Sequence, residues 1–223
     1  MLNDVKVIAF DIDGTLYPQE RFFAKIFFFF WKNVVVFYHF GRVRKALRRC
    51  APLPDLYRYQ AILLSERMKC TTPEAEKMLN SVIYDVFPKY FKNVKPFKNV
   101  SETFQKLKEA GYKIAILSDF PPEQKGDLWG LLPYCDGVFG AEKIGALKPS
   151  KYTFGVMAKE LGVPMKNILY VGNNKKYDID GAKAAGMKTA YLLPLWRKIL
   201  NLPLKQADIS FKNYRQFMKI VLK

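Results

Sequence analysis

Histidine is nearly absent from these 223 residues. His39 is the only one, so a Ser-His-Asp or Cys-His mechanism would have to draw on the run "VVVFYHFG", whose setting reads as packing. A histidine-rich metal site is excluded. Cysteine is scarce as well: Cys50, Cys70 and Cys135 are odd in number and form no CxxC, which fits thiols in a reducing compartment and neither a disulfide framework nor a zinc site. There is no P-loop and no GxGxxG ahead of a helix, so the usual glycine-rich nucleotide cradles are missing. Acid is in deficit, with 20 Asp and Glu against 37 Lys and Arg, a net charge of +17 and a pI near 9.7. That balance points to an anionic substrate, or to an anionic surface such as lipid or nucleic acid, beside the plain reading of solvated basic faces. The opening "MLNDVKVIAFDIDG" lacks the basic, apolar and small-residue order of a secretory leader, so a cytoplasmic location is expected. No long apolar run is uninterrupted. Residues 22–40, "FFAKIFFFFWKNVVVFYHF", have the length of a membrane span, but Lys25 and Lys32 would each cost roughly a few kcal/mol there. A helix buried in the protein or at a subunit contact is expected, with a membrane-surface helix as the alternative.

What is present is half apolar and long enough for one domain with a sizeable insertion. "VKVIAF" (5–10) is β-branched and apolar and ends in a polar loop, which reads as a buried strand. From Arg21 to about Phe87 the period turns helical, and Thr71 and Glu74, with Pro73 between them, form a capping-box signal. After Pro96 strands are expected at 112–118, 137–140, 167–172, 188–193 and near 207–211. Helices are expected between them, at about 99–110, 121–132, 150–161 and 177–186, with a last one from Asn213. Alternating strands and helices predict an α/β fold: a Rossmann-like, doubly wound parallel sheet, interrupted after its first strand by an all-helical insertion.

Ligands of such sheets bind beyond the carboxyl ends of the strands. Those ends collect "DIDGTL", "SDF", "LKPS" and "GNNKKYD". Asp11 and Asp13 stand one residue apart, and Gly14 allows a sharp turn. Two carboxylates so close call for a cation between them or a shared proton, and a hard ion such as Mg²⁺ suits oxygen ligands. An aspartate there can also attack phosphorus. Ser118 offers a hydroxyl at a strand end, and Lys148 offers a fixed charge before a helix, suited to a transferring phosphoryl group.

In their order and spacing these motifs resemble the haloacid dehalogenase-like superfamily of hydrolases. "DIDGTL" matches the first family motif, "LSD" the second, "LKPSKYTF" the third and "VGNNKKYDIDGAKAAGM" the fourth, so the resemblance covers the whole chain. It implies a catalytic core at 1–16 and 96–223, with a helical cap of the C1 type at 17–95. It also implies roles: Asp11 as nucleophile, and Asp13 as general acid and base that binds metal through its carbonyl. Ser118, Asp119 and Lys148 become the phosphate-binding set, and Asp11, Asp13, Asn173 and Asp178 the Mg²⁺ set. An acid at Asp13 favours a phosphatase or phosphomutase over a dehalogenase, because an alkoxide needs a proton to leave and a halide does not.

The fourth motif departs from the family at Asn173, where an acid is usual. An amide carbonyl still ligates hard cations, so a weakened metal site is expected. The expected function is a Mg²⁺-dependent phosphatase acting on a small phosphomonoester through an aspartyl-phosphate. The alternative is a weak or inactive binding protein on the same fold, using a basic, aromatic cap. In that cap "GRVRKALRR" places Arg44 four residues from Arg48, and Lys45 four from Arg49, so like charges repel unless an anion sits between them. An anionic membrane surface is one such partner, which would make the protein peripheral to a membrane, and a phosphorylated small molecule is another. No nucleic-acid motif is present, and no nucleic-acid partner is expected.

Overall fold

The computed structural model describes residue 2 and residues 4–223. Its centre is the run read above as a strand. β1 (Val7–Phe10) alternates Ile8 and Phe10 toward one apolar layer and Val7 and Ala9 toward another, so all four side chains are buried. A strand covered on both faces can read as a continuous apolar run and not as an alternation. The other strands are β2 (Lys113–Ser118), β3 (Gly137–Gly140), β4 (Ile168–Gly172), β5 (Lys188–Leu192) and β6 (Ile209–Phe211). They form one parallel sheet in the order β3-β2-β1-β4-β5-β6. The order reverses at β1, whose two neighbours are β2 and β4, and this opens a crevice at the carboxyl ends of β1 and β4.

Between β1 and β2 lie α1 (Gln19–Lys32), α2 (Val34–Leu47), α3 (Leu56–Met68), α4 (Thr72–Met78) and α5 (Val86–Phe91), with a π-helical turn at Leu79–Tyr84. The capping box forms: Glu74 accepts from the Thr71 backbone N–H at 2.8 Å. The remaining helices are α6 (Val100–Glu109), α7 (Ala141–Ile144), α8 (Lys151–Glu160), α9 (Gly181–Ala184), α10 (Leu195–Ile199) and α11 (Tyr214–Val221). Phe10 stacks on Phe104 of α6 at 4.8 Å and meets Phe217 of α11 edge-on at 6.0 Å, closing one layer. Phe154 of α8 meets Tyr170 of β4 at 5.1 Å in the other.

Two expectations need correcting. The helix expected over 121–132 is a series of short 3₁₀ turns, Pro122–Lys125, Leu128–Gly130 and Leu132–Tyr134. Pro121, Pro122 and Pro133 remove backbone donors there, and Gly126 and Gly130 take positive φ. The aromatic segment 22–40 is not one buried helix. It breaks at Asn33, whose side chain donates to the Phe29 carbonyl, and α1 and α2 are bent 110° apart. No single helix among the described residues is long and apolar enough to cross a membrane. α1 buries only Phe22 and Ile26, while Phe27, Phe28 and Trp31 are 51%, 81% and 59% exposed.

Candidate active site

Asp11 follows β1 directly, and its N–H donates to the Val171 carbonyl of β4, so the switch point fixes its backbone. Its carboxylate is held from two sides: Lys148 Nζ donates to Oδ1 at 2.7 Å and Thr15 Oγ1 to Oδ2 at 2.8 Å. Lys148 also donates to Asp178 Oδ1 at 2.6 Å and to the Tyr170 hydroxyl at 3.1 Å. Asp11, Lys148 and Asp178 are all buried. Burial alone would lower the Lys148 pKa, but Asp11 and Asp178 outweigh it and hold the ammonium well above the ordinary lysine value. Burial pushes Asp11 up to about 7 against the pull of Lys148, with Asp178 and Asp13 adding to the rise. One positive charge is serving two buried carboxylates, with a third acid beside them.

Asp13 sits in different company. Tyr17 donates to its Oδ1 at 2.6 Å, the buried Lys125 lies 3.2 Å from its Oδ2, and Ser118 Oγ lies 3.4 Å from the same oxygen. Burial and the Asp13 charge push the Tyr17 phenol far above its ordinary value, so it stays a donor. Asn173 turns its Oδ1 toward Thr15 Oγ1 at 3.2 Å, and its carboxamide lies against Gly14. A Cβ at Gly14, where φ is +82°, would come within 2.2 Å of Asn173 Nδ2. Gly172 gives the same clearance to Asp178, 2.3 Å from where its Cβ would be.

The oxygens of Asp11, Asp178 and Asn173 thus surround Lys148 and Thr15, and an all-oxygen set with excess negative charge fits a hard divalent cation. Among the described residues no group of three or more His, Cys, Asp or Glu is placed to hold a metal by itself. The fit therefore depends on the Asn173 amide and on backbone oxygen as well as the two carboxylates.

The Asp119 carboxylate is committed elsewhere, so the phosphate contact expected of this residue would fall to its backbone N–H. Its Oδ2 pairs with Arg48 Nη2 at 2.6 Å, and its Oδ1 accepts from the Lys148 N–H at 3.0 Å, so the carboxylate binds cations and backbone. Burial would raise its pKa, but Arg48, Lys148 and Arg44 outweigh burial and hold it below the ordinary carboxylate range. Arg48 also donates to the Lys148 carbonyl and lies 3.9 Å over the Tyr177 ring. Four residues earlier, Arg44 is buried against Glu142, with Phe120 4.5 Å from its guanidinium. The anions required between these like charges are Glu142 and Asp119 of the chain itself. Of the basic residues in that stretch only Arg42, Lys45 and Arg49 are exposed.

Sequence reasoning brought Asp11, Asp13, Ser118, Lys148, Asn173 and Asp178 to one place. It missed Lys125, Tyr17 and Arg48 as site residues. Lys125 lies in a proline- and glycine-bounded turn without a local signal, whereas the acid-free Arg44/Arg48 spacing did announce a missing anion.

Comparison with known proteins gives the family and the fold. The family model described as haloacid dehalogenase-like hydrolase matches residues 5–186. A glyceraldehyde 3-phosphate phosphatase of Methanopyrus kandleri is 27% identical over 200 residues, covering 83% of this chain and 82% of its own. Pyrophosphatase PpaX of Halalkalibacterium halodurans is 28% identical over 192 residues, covering 84% of this chain and 83% of its own. Among solved structures, a HAD phosphatase from Thermococcus onnurineus has a TM-score of 0.63 at 21% identity, covering 97% of this chain and 98% of its own. At that identity the structural likeness speaks for the fold.

Proposed function

This chain belongs to the haloacid dehalogenase-like hydrolase family and is a phosphatase within it; from that premise we propose that it hydrolyses a small phosphomonoester through an aspartyl-phosphate on Asp11. The observation that carries the proposal is the contrast between its two paired acids. Asp11 is oriented by Lys148 and Thr15, and Asp13 by Tyr17 and Lys125, so the two carboxylates are prepared for different tasks.

In this reading a carboxylate oxygen of Asp11 attacks phosphorus, the P–O bond to the leaving group breaks, and Asp13 gives the departing alkoxide its proton. Asp13 then takes a proton from the water that attacks the phosphorus of the aspartyl-phosphate, which restores both acids and releases inorganic phosphate. Lys148 stabilises charge on the transferring group, and the Ser118 hydroxyl binds a phosphoryl oxygen. Mg²⁺ held by Asp11, the Asp13 carbonyl, Asn173 and Asp178 would neutralise phosphoryl oxygens when bound. Asp119 takes a positioning role, tying Arg48 to the Lys148 backbone.

Phosphate release from p-nitrophenyl phosphate across a Mg²⁺ titration tests the proposal. Metal-dependent turnover is expected, with loss of about 10³-fold or more in Asp11→Asn. Turnover that survives this substitution would contradict the assignment.

The exposed face of α1 favours a second reading, in which the cap meets an anionic lipid surface. Phe27, Phe28 and Trp31 stand beside exposed Arg21, Lys25 and Lys32 on a chain of charge +17. Co-sedimentation with anionic vesicles at low salt is its expected result, and none with neutral ones.

A further inference from the structure

Between the helical insertion and the loop after β2 lies an apolar slot of about 180 Å³. Six phenylalanines, Phe22, Phe23, Phe37, Phe40, Phe87 and Phe120, line it with four aliphatic side chains and one polar residue, Gln19. Its walls come from α1, α2, the π-helical turn, α5 and the loop after β2, so the helical insertion and the sheet build it together.

Two contacts join this slot to the chemistry. Gln19 Oε1 reaches within 3.3 Å of the position a Cβ would take on Gly14, in the loop that carries Asp11 and Asp13. The Lys125 ammonium lies 4.9 Å from the centre of the Phe87 ring and 5.9 Å from that of Phe120, both slot walls, and 3.2 Å from Asp13 Oδ2. Asp13 is the acid that protonates the leaving group, so the organic part of the substrate emerges on the side where the slot begins. Phe120 also follows Ser118 and Asp119 directly, and one short loop therefore carries both a phosphoryl contact and a slot wall.

We propose that the slot receives the leaving group of the substrate, and that the preferred substrate is the phosphomonoester of an apolar alcohol about one aromatic ring in size. The inference rests on the phosphatase reading above and adds the substrate class to it. The size follows from volume: an apolar cavity of roughly 150 Å³ accepts a benzene ring. The polarity follows from desolvation. A carboxylate or hydroxyl entering a phenylalanine-lined slot would give up its water with only Gln19 in return, while an aryl or short alkyl group would give up nothing. Ring-on-ring contacts with Phe87, Phe22 and Phe120, already packed at centroid distances of 4.7 and 5.1 Å, add to the preference for an aryl group.

The test compares phenyl phosphate and pentyl phosphate with phosphoglycolate and glycerol 3-phosphate by kcat/KM. In parallel, calorimetry measures the binding of phenylphosphonate and methylphosphonate, whose C–P bonds the mechanism does not cleave. Expected are about 100-fold higher kcat/KM for the apolar esters and tighter binding of phenylphosphonate by a similar factor. Equal or better turnover of the polar esters would overturn the substrate class and leave the phosphatase reading standing. Loss of turnover with every ester would overturn the phosphatase reading, and the phosphonate pair would then decide whether the slot selects apolar groups. Phe23→Asp, at a half-exposed position on the rim, is expected to shrink both ratios about tenfold. Unchanged ratios would count against the slot.

Discussion

Asp11 and Asp178 share one ammonium, and Asn173 adds an oxygen to them without adding a charge. Metal affinity follows ligand charge, so Asn173→Asp is expected to lower the Mg²⁺ concentration for half-maximal turnover about tenfold, read from the metal titration. An unchanged requirement would mean that residue 173 does not ligate. On the other acid, Lys125 is buried and points its charge at Asp13. Lys125→Met is expected to lower kcat about tenfold with KM little changed. A stability loss with unchanged kcat would make it a packing residue only. The candidate site residues were legible because they gather at the carboxyl ends of β1, β2 and β4 and ahead of α8, where sequence period and motif coincide. Tyr17 and Lys125 were not, since nothing local distinguishes a tyrosine four residues after an aspartate from a core tyrosine, and Lys125 comes from a turn read as a helix.

Elements bring these residues together through the reversal of strand order at β1, and the sequence expressed it well: parallel strands buried on both faces read as short apolar runs. The helical insertion was harder to read. Its aromatic segment has enough apolar residues for a core helix, yet α1 buries only Phe22 and Ile26, leaves Phe29 and Phe30 half-buried and its other aromatics exposed, and the chain bends at Asn33. The basic stretch of α2 was read as a surface, and two of its arginines instead clasp the sheet domain through Asp119 and Glu142. The Arg44–Glu142 pair is buried and the Arg48–Asp119 pair partly so, and removing one partner strands the other. Asp119→Ala is expected to destabilise the fold by about 1–3 kcal/mol in urea titrations. Close packing makes a second prediction at Gly145. There φ is +89° and the Leu53 carbonyl lies 2.1 Å from where a Cβ would be, so Gly145→Ala is expected to cost about 1–3 kcal/mol by the same measurement.

For the whole molecule, the acids held below their ordinary pKa set how it responds to acid. Burial would raise Asp119, but Arg48, Lys148 and Arg44 outweigh it; burial would likewise raise Asp136, but Lys108 and the Ile114 N–H outweigh that. Their folded values lie below the unfolded value of 3.8, so their contribution is complete above that pH and is lost as the pH falls through the folded values. The urea midpoint is expected to fall below about pH 4, and Asp136→Asn to flatten that fall. A surplus of +17 sits on a molecule whose candidate site is locally acid-rich, so that site needs its own cations to receive an anion. In the proposed mechanism Asp11 carries the phosphoryl group during turnover. Acid-quenching the enzyme with p-nitrophenyl phosphate and Mg²⁺, followed by peptide mass spectrometry, tests this step. Expected is a peptide spanning Asp11 heavier by one phosphoryl group, labile to hydroxylamine and absent from Asp11→Asn. Phosphate release at full rate with no such adduct, or an adduct on another residue, would contradict it.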